Sequence, residues 1–414
     1  MKKISLLIFV ALHFAPVQAQ VLTLRDVMDS VEAHHPIVRM YDNEIRSMDE
    51  AAKGARSWMA PTVGVGQFMT PYNVSRWKGR EGMEAMGSVM VSVEQMFPQK
   101  RKLDAGQAFM KAMSSVEKEN KAAGINELVQ EAKVLYYEWI VLRKRLAVVD
   151  ENEQMLDFMI KNAEIRYRNG ADKISAYYKA KAALGYTKNM RLMYENDIRE
   201  KRIRMNALMG RNAMTPFEID TAFAFSDYST MVFDSSLFYK TRSDMKSIDQ
   251  QIALTNLRRN IERQSLRPEF GVRLDNMYEF SGQLRYTVMA MARLPFVSWA
   301  SKMNKANAES LKWKADALQA QKEMMVNEYS GMAYGMQTEY QVLQQQLDLY
   351  RKEIIPALKN NFRTMQAGYE QNTEELFMLY DAWEKLNMTQ LEYCDIVAKA
   401  LKQQTTIDRL IQKK

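Results

Sequence analysis

Cysteine is nearly absent from this chain: Cys394 stands alone in 414 residues, which excludes an intramolecular disulfide and leaves stability to packing and assembly. It reads as a small buried residue on a helix face. Histidine is almost as scarce, three in all, and beyond residue 19 only His34 and His35 remain. Neighbouring helical positions point about 100° apart, so those two cannot share a metal without a turn or a third ligand. No phosphate-cradling glycine motif and no serine nucleophile signature occurs. These absences argue against an enzyme, a cofactor or a dedicated metal site. After residue 19 there is also no continuous apolar run of transmembrane length, so any membrane insertion must use strands or a surface-lying helix. A dominant charge is missing too. The formal +8 becomes +6 without Lys2 and Lys3, with both signs interleaved, so no nucleic-acid partner is expected.

What is present begins with an export signal. Lys2 and Lys3 precede an apolar run from Ile4 to Phe14 and a small-residue exit at Val17-Gln18-Ala19. Residues 1–19 are expected to be removed, giving a mature chain from Gln20 with no cysteine at the cut to carry a lipid.

The mature sequence is written twice. Tyr167-Arg-Asn-Gly-Ala-Asp-Lys-Ile and Tyr369-Glu-Gln-Asn-Thr-Glu-Glu-Leu lie 202 residues apart, each closing one long heptad-patterned stretch and opening another. Gly170 and Asn372 hold the equivalent place, and these residue types enter the left-handed conformation most cheaply. From Leu128 the apolar steps alternate four and three through Ala132, Leu135, Trp139, Leu142, Leu146 and Val149, then Leu156, Ile160, Ala163 and Tyr167, with Glu153 the polar interruption. A helix from about Leu103 to Tyr167 would reach ~95 Å. The second seam runs Met336, Tyr340, Leu343, Leu347, Tyr350, Ile354 and Ala357. Pro356 inside it predicts a bend or local widening rather than a stop. Past each turn the helix resumes, through Ala180, Leu184, Tyr194, Ile198 and Leu208 and through Leu379, Trp383, Leu386, Tyr393 and Val397.

Four stretches have period two. Ser88 to Phe97 sets Val89, Val91, Val93 and Phe97 against Ser88, Ser92 and Glu94; Glu269 to Tyr278 sets Phe270, Val272 and Leu274 against Glu269, Arg273 and Asp275; Leu284 to Leu294 sets apolar residues against Arg285, Thr287 and Arg293. Thr62 to Met69 is a fainter fourth. Prolines 61 and 98, and 268 and 295, bound the two pairs. The layout is a first repeat over 20–210 (strand hairpin about 61–97, turn near 170), a linker over 211–241, and a second repeat over 242–414 (strand hairpin about 268–295, turn near 372).

Such strands suit a half-solvated soluble sheet or a membrane barrel with a wet lumen. The export signal, strand lengths near ~9–11 residues and aromatics at the strand ends (Trp58, Phe97, Phe296, Trp299) favour the barrel. Four strands cannot close alone, and open edges are not tolerated in lipid, so the chain must oligomerise if it spans; two copies give eight strands and three give twelve.

Leu22-Thr-Leu-Arg-Asp-Val-Met followed by His35-Pro36, Arg204-Met-Asn-Ala-Leu-Met-Gly210, and Ile355-Pro356 sixteen residues before Asn372 together resemble, in order and spacing, the TolC family of outer-membrane efflux ducts. The resemblance leans toward its cation-efflux branch. It implies a mainly helical chain with a small β part, four strands per protomer building a trimeric twelve-stranded outer-membrane barrel above a periplasmic tunnel of helical hairpins. The implied role is the exit duct of a tripartite efflux system, passing metal cations or drugs from an RND-type inner-membrane pump and a periplasmic adaptor through outer-membrane lipid. The hairpin turns, Gly170, Ala171 and Asp172 with Asn372, Thr373 and Glu374, would dock the adaptor. The family closes its periplasmic mouth near the second turn, and the matching gate residues are Asp381 and Tyr369. Met378 stands where a second acid would ring the pore, and Glu374 where a basic partner is found. Glu94, Arg273, Asp275, Arg285 and Arg293 would face the barrel lumen. The 32 methionines read as flexible packing, spread over both halves, although soft thioethers also bind Cu(I) and Met90, Met289 and Met291 are placed to line a lumen. The other readings are a soluble periplasmic coiled-coil scaffold and a duct for type I polypeptide secretion.

Overall fold

The computed structural model describes residues 20–170 and 173–413; residues 1–19, where the export signal is expected, and Ala171, Asp172 and Lys414 lie outside them. In chain order the elements are β1 (Gln20–Leu22), α1 (Leu24–His34), α2 (Pro36–Lys53), β2 (Thr62–Phe68), β3 (Ser88–Phe97), α3 (Lys100–Arg168), α4 (Ile174–Leu208), β4 (Phe217–Ile219), α5 (Ser235–Thr241), α6 (Ser243–Gln264), β5 (Glu269–Glu279), β6 (Leu284–Arg293), α7 (Ser298–Leu349), α8 (Ile355–Glu370) and α9 (Leu376–Leu410). None of the described helices is long and apolar enough to cross a membrane. The chain forms two compact units: one takes the segment up to Pro36, Ile125–Val232 and Ala333 onward, the other Ile37–Gly124 and Phe233–Met332. Each unit draws on both sequence halves.

In the first unit the heptad pattern of α3 does what it predicts: Ala132, Leu135, Trp139, Leu142, Leu146, Val149 and Leu156 are all buried. The polar interruption is elsewhere. Asn152, not Glu153, enters the buried stripe, its amide donating to the Val148 carbonyl at 2.7 Å, and Met159 is fully buried where Ile160 is half-buried. Tyr167, the end of the expected seam, is exposed.

Pro356 behaves as its chemistry requires. It lacks an N–H and its ring crowds the preceding turn, and the chain answers with a π-helical turn at Tyr350–Ile354 before α8 begins. That wider turn advances the phase. Beyond it Phe362 and Tyr369 are buried and Leu358 and Met365 half-buried, whereas Ala357, on the expected seam, faces out.

The stretch 211–241, expected as a linker, carries structure. β4 pairs in parallel with β1, Gln20 with Phe217 and Leu22 with Ile219. Phe217 packs edge-on against Trp139, and the Tyr136 hydroxyl donates to the Asp220 carbonyl at 2.7 Å, its pKa pushed up to about 12 chiefly by burial. Further on, Tyr228 donates to Asp408 Oδ1 at 2.7 Å, Lys133 stands 3.6 Å from Asp408 Oδ2, Gln337 donates to the Tyr228 carbonyl, and Tyr340 donates to the Ser226 carbonyl at 3.0 Å. Two three-residue strands and one buried polar latch thus strap this segment onto α3, α7 and α9.

α1 starts at a capping box, Thr23 with Asp26, whose mutual hydrogen bonds hold the Asp26 carboxyl below its ordinary range. It ends at extended His35, as a residue before proline must. The end of α4 meets it there: Gly210 has φ +67°, and a Cβ would lie 2.8 Å from the His34 carbonyl oxygen. Gly210→Ala is expected to cost at least about 1–2 kcal/mol from the left-handed backbone alone, read as a lowered denaturation midpoint of the detergent-purified protein; an unchanged midpoint would refute it.

Candidate functional site

The second unit holds a four-stranded antiparallel sheet of order β2-β3-β5-β6, joined by the long loop 69–87 and a short turn with Gly282 at φ +90°. Its register assigns the two faces without ambiguity. Val63, Val93, Leu274 and Val288 form one cross-strand row, Val65, Val91, Asn276 and Tyr286 the next. The intervening rows are Gly64, Ser92, Asp275 and Thr287, then Thr62, Glu94, Arg273 and Met289. Alternation along each strand makes these opposite faces.

Burial is inverted relative to a water-soluble sheet. On the valine face Val91 is 43% exposed, Val288 61% and Tyr286 76%, while on the other face Asp275 and Glu269 are only 5% and 6% exposed. A contiguous apolar face this large, backed by ionised groups, marks a surface meant for something other than water.

All five residues expected in a lumen lie on the polar face, and four of them form ion pairs there. Arg273 pairs with Asp275 at 2.8 Å and stands opposite Glu94 in register; Arg293 and Lys102 both reach Glu269, at 3.4 and 2.7 Å; Arg285 pairs with Glu279 at 2.9 Å. Glu269, Glu279 and Lys102 supply the remaining members of these pairs and escaped the sequence reading as site residues. Glu269 carried a signal in its place on the charged face of β5, whereas Lys102 lies on a helix and carried none.

The helical hairpin tips lie in the first unit. Gly170 has φ +72° and Asn372 φ +63°, the shared left-handed conformation expected of the repeat. At the second tip the cap is complete. Asn372 N–H donates to Tyr369 O at 3.2 Å and Thr373 N–H to Gly368 O at 2.9 Å, the paired bonds of a Schellman motif. Gly368 permits this, because a Cβ there would meet Glu374 Cγ at 2.6 Å. At the first tip Gly170 N–H donates to Tyr167 O at 3.0 Å.

Two cations join the tips. Arg166 of α3 donates to the Tyr369 carbonyl at 2.6 Å, with its guanidinium 4.3 Å from the centre of that ring. Lys179 of α4 sits 4.2 Å from the Phe377 ring and 4.0 Å from the Tyr380 ring of α9. Beneath them Leu156, Met159, Ala180, Phe362, Leu379 and Trp383 form one apolar cluster. Tyr369 is itself buried, while Asp381 is exposed and, among the described residues, makes no ion pair or side-chain hydrogen bond. The structure therefore brings Tyr369 into contact with Arg166 and leaves Asp381 apart. Sequence reasoning missed Arg166 and Lys179; the aromatic pair at a helical spacing of three just past the turn was the available signal. Arg166→Ala should loosen the second tip by about 1–3 kcal/mol. Faster amide exchange confined to 366–376 would bear this out, and unchanged exchange would exclude it.

Solved structures share this fold of a four-stranded sheet and paired helical hairpins. The channel OprN superposes with a TM-score of 0.76 at 12% identity over 94% of this chain and 90% of its own. CusC, whose structures describe transmembrane channel formation, gives 0.73 at 12% over 94% and 91%, and the outer membrane protein VceC from Vibrio cholerae 0.73 at 14% over 94% and 95%. Residues 27–211 match the outer membrane efflux protein family. The matched span is the first of the two sequence repeats. No curated protein sequence matches it significantly.

Proposed function

We propose that the protein is the outer-membrane exit duct of a tripartite efflux system, working as a homotrimer with a periplasmic adaptor and an inner-membrane pump. The observation that carries this is the inverted sheet: its valine face suits lipid and its ionised face suits a wet lumen. Both sheet edges, β2 and β6, lack a strand partner among the described residues. Unpaired backbone groups at such edges are not tolerated in lipid, so neighbouring copies must pair β6 to β2, and three copies give a closed even-numbered barrel. The left-handed tips at Gly170 and Asn372 are the natural adaptor contacts, with Ala171, Asp172, Thr373 and Glu374 beside them, and the Tyr369 contact with Arg166 is a closing tie at the periplasmic mouth. Fractionation tests the whole reading. Recovery from outer membranes as a detergent-requiring trimer supports it; a freely soluble periplasmic protein overturns it in favour of a scaffold.

Asp381, exposed and unpaired just past the second tip, is the gate residue of this reading. Three copies of one carboxylate in a narrow opening attract cations. Asp381→Asn is expected to weaken cation block of the reconstituted channel several-fold, and unaltered block in planar bilayers would remove Asp381 from the gate.

A further inference from the structure

Methionine and the aliphatic residues part company on the barrel sheet. Every methionine of the four strands (Met90, Met96, Met277, Met289 and Met291) stands on the ionised face, and every valine and leucine stands on the opposite one. If methionine were only a flexible filler replacing leucine, it would share leucine's face. Instead it shares the face with Glu94, Arg273 and Asp275, where an apolar side chain contributes nothing to lipid burial. A thioether does have something to offer there: it is a soft, uncharged donor to soft cations.

Three of these residues are close neighbours on that face. Met96, Gly271 and Met291 form one cross-strand row, and Met289 is the next residue on the same face of β6. The Met96 sulfur lies over Gly271, so close that a Cβ there would be 2.3 Å from it. Strands are about 4.8 Å apart, so two strand spacings, roughly 10 Å, separate the Met96 and Met291 backbones. The bare glycine between them lets the Met96 sulfur cross half that gap. Met291, with its own rotatable bonds, has the length to reach the same glycine, and Met289 stands about 7 Å along the strand. Met96 and Met291 are half-buried and Met289 is 39% exposed, so all three remain accessible.

We propose that Met96, Met291 and Met289 form a thioether site for a soft monovalent cation, of the Cu(I) or Ag(I) class, on the channel-facing surface of the barrel. The assignment rests on the duct reading for its role as a passage site, but binding itself does not. No proton is displaced when a thioether binds a metal, so occupancy is independent of pH across the ordinary carboxylate range. This separates it from carboxylate binding.

The test uses the full mature chain in a Cys394→Ala background, because a thiol also binds silver. Ag⁺ is added in nitrate medium to detergent-solubilised protein carrying 13C-methyl methionine. The methyl resonances of Met96 and Met291, assigned by loss in Met96→Leu and Met291→Leu, are expected to shift, equally at pH values below and above the carboxylate range. Mg²⁺ should leave them unmoved. The double leucine variant should bind Ag⁺ about tenfold more weakly or worse. Unshifted Met96 and Met291 resonances, or equal affinity in the double variant, overturn the site. Conductance in planar bilayers is read on the same samples: a silent bilayer rejects the duct reading, whereas a conducting channel with unshifted resonances rejects the site alone.

Discussion

An arginine at Val91 is expected to cost about 2–4 kcal/mol of barrel stability, and the same arginine at Ser92 close to nothing. The two positions are adjacent in β3, share a strand, a depth and two hydrogen-bonded neighbours, and differ only in face. Val91 stands in the row of Val65, Asn276 and Tyr286, whereas Ser92 stands between Gly64 and Asp275. In lipid an arginine at Val91 has no water and no counterion within that row. At Ser92 it finds Asp275 as its cross-strand neighbour. The measurement is urea-dependent unfolding from liposomes, supported by the yield of folded oligomer in outer membranes. Equal tolerance at both positions would mean that the valine face meets water, and the duct reading would go with it.

Removing the carboxylate of Asp408 is expected to destabilise the first unit by about 3–5 kcal/mol, the range for breaking one partner of a buried ion pair. Lys133 is 5% exposed and Asp408 9% exposed. Without the carboxylate, among the described residues Lys133 keeps the Lys413 carbonyl, at 3.1 Å, and the Tyr228 hydroxyl keeps only the longer bond to the Gln404 carbonyl, at 3.4 Å. Tyr228→Phe, which removes a hydrogen bond and strands no charge, should cost only about 1–2 kcal/mol. Pairing Asp408→Leu with Lys133→Met should recover most of the loss, since no buried charge is then left over. Thermal melting of the detergent-purified protein reads all three, and a loss in Asp408→Ala no larger than in Tyr228→Phe would refute the latch. The same cluster makes the unit sensitive to alkali. Burial and the Asp408 hydrogen bond push the Tyr228 phenol above its ordinary value. A group raised on folding contributes its full stability below the unfolded tyrosine pKa, about 10, and loses it as pH rises through the folded one. The melting temperature should therefore fall above about pH 10, and fall less in Tyr228→Phe.

The strands and helices were legible to within a few residues because each obeys a local periodicity. Ser88–Phe97 alternates, and α3 keeps a seam from Ala132 to Val149 that needs no knowledge of its partner. The left-handed turns at Gly170 and Asn372 were legible from residue type at equivalent places in a repeat. Errors arose where phase accumulates over distance. Asn152 rather than Glu153 enters the core, and the turn before Pro356 moves the buried face from Ala357 to Leu358. The straps of the supposed linker left no periodic trace, since β1 and β4 are three residues each and their register depends on each other.

Charge and apolarity on alternate residues of a strand and two matching turns are properties of neighbouring residues, so the sequence by itself determined the long helices, the four-stranded sheet's strands and the two turns. Which residues meet was decided only in three dimensions. Arg166 against Tyr369, Lys133 against Asp408, and Met96 laid across Gly271 toward Met291 join positions between 175 and 275 apart. The reason is physical: a contact between distant segments depends on the summed twist and phase of everything between them, and one wide helical turn is enough to change its members.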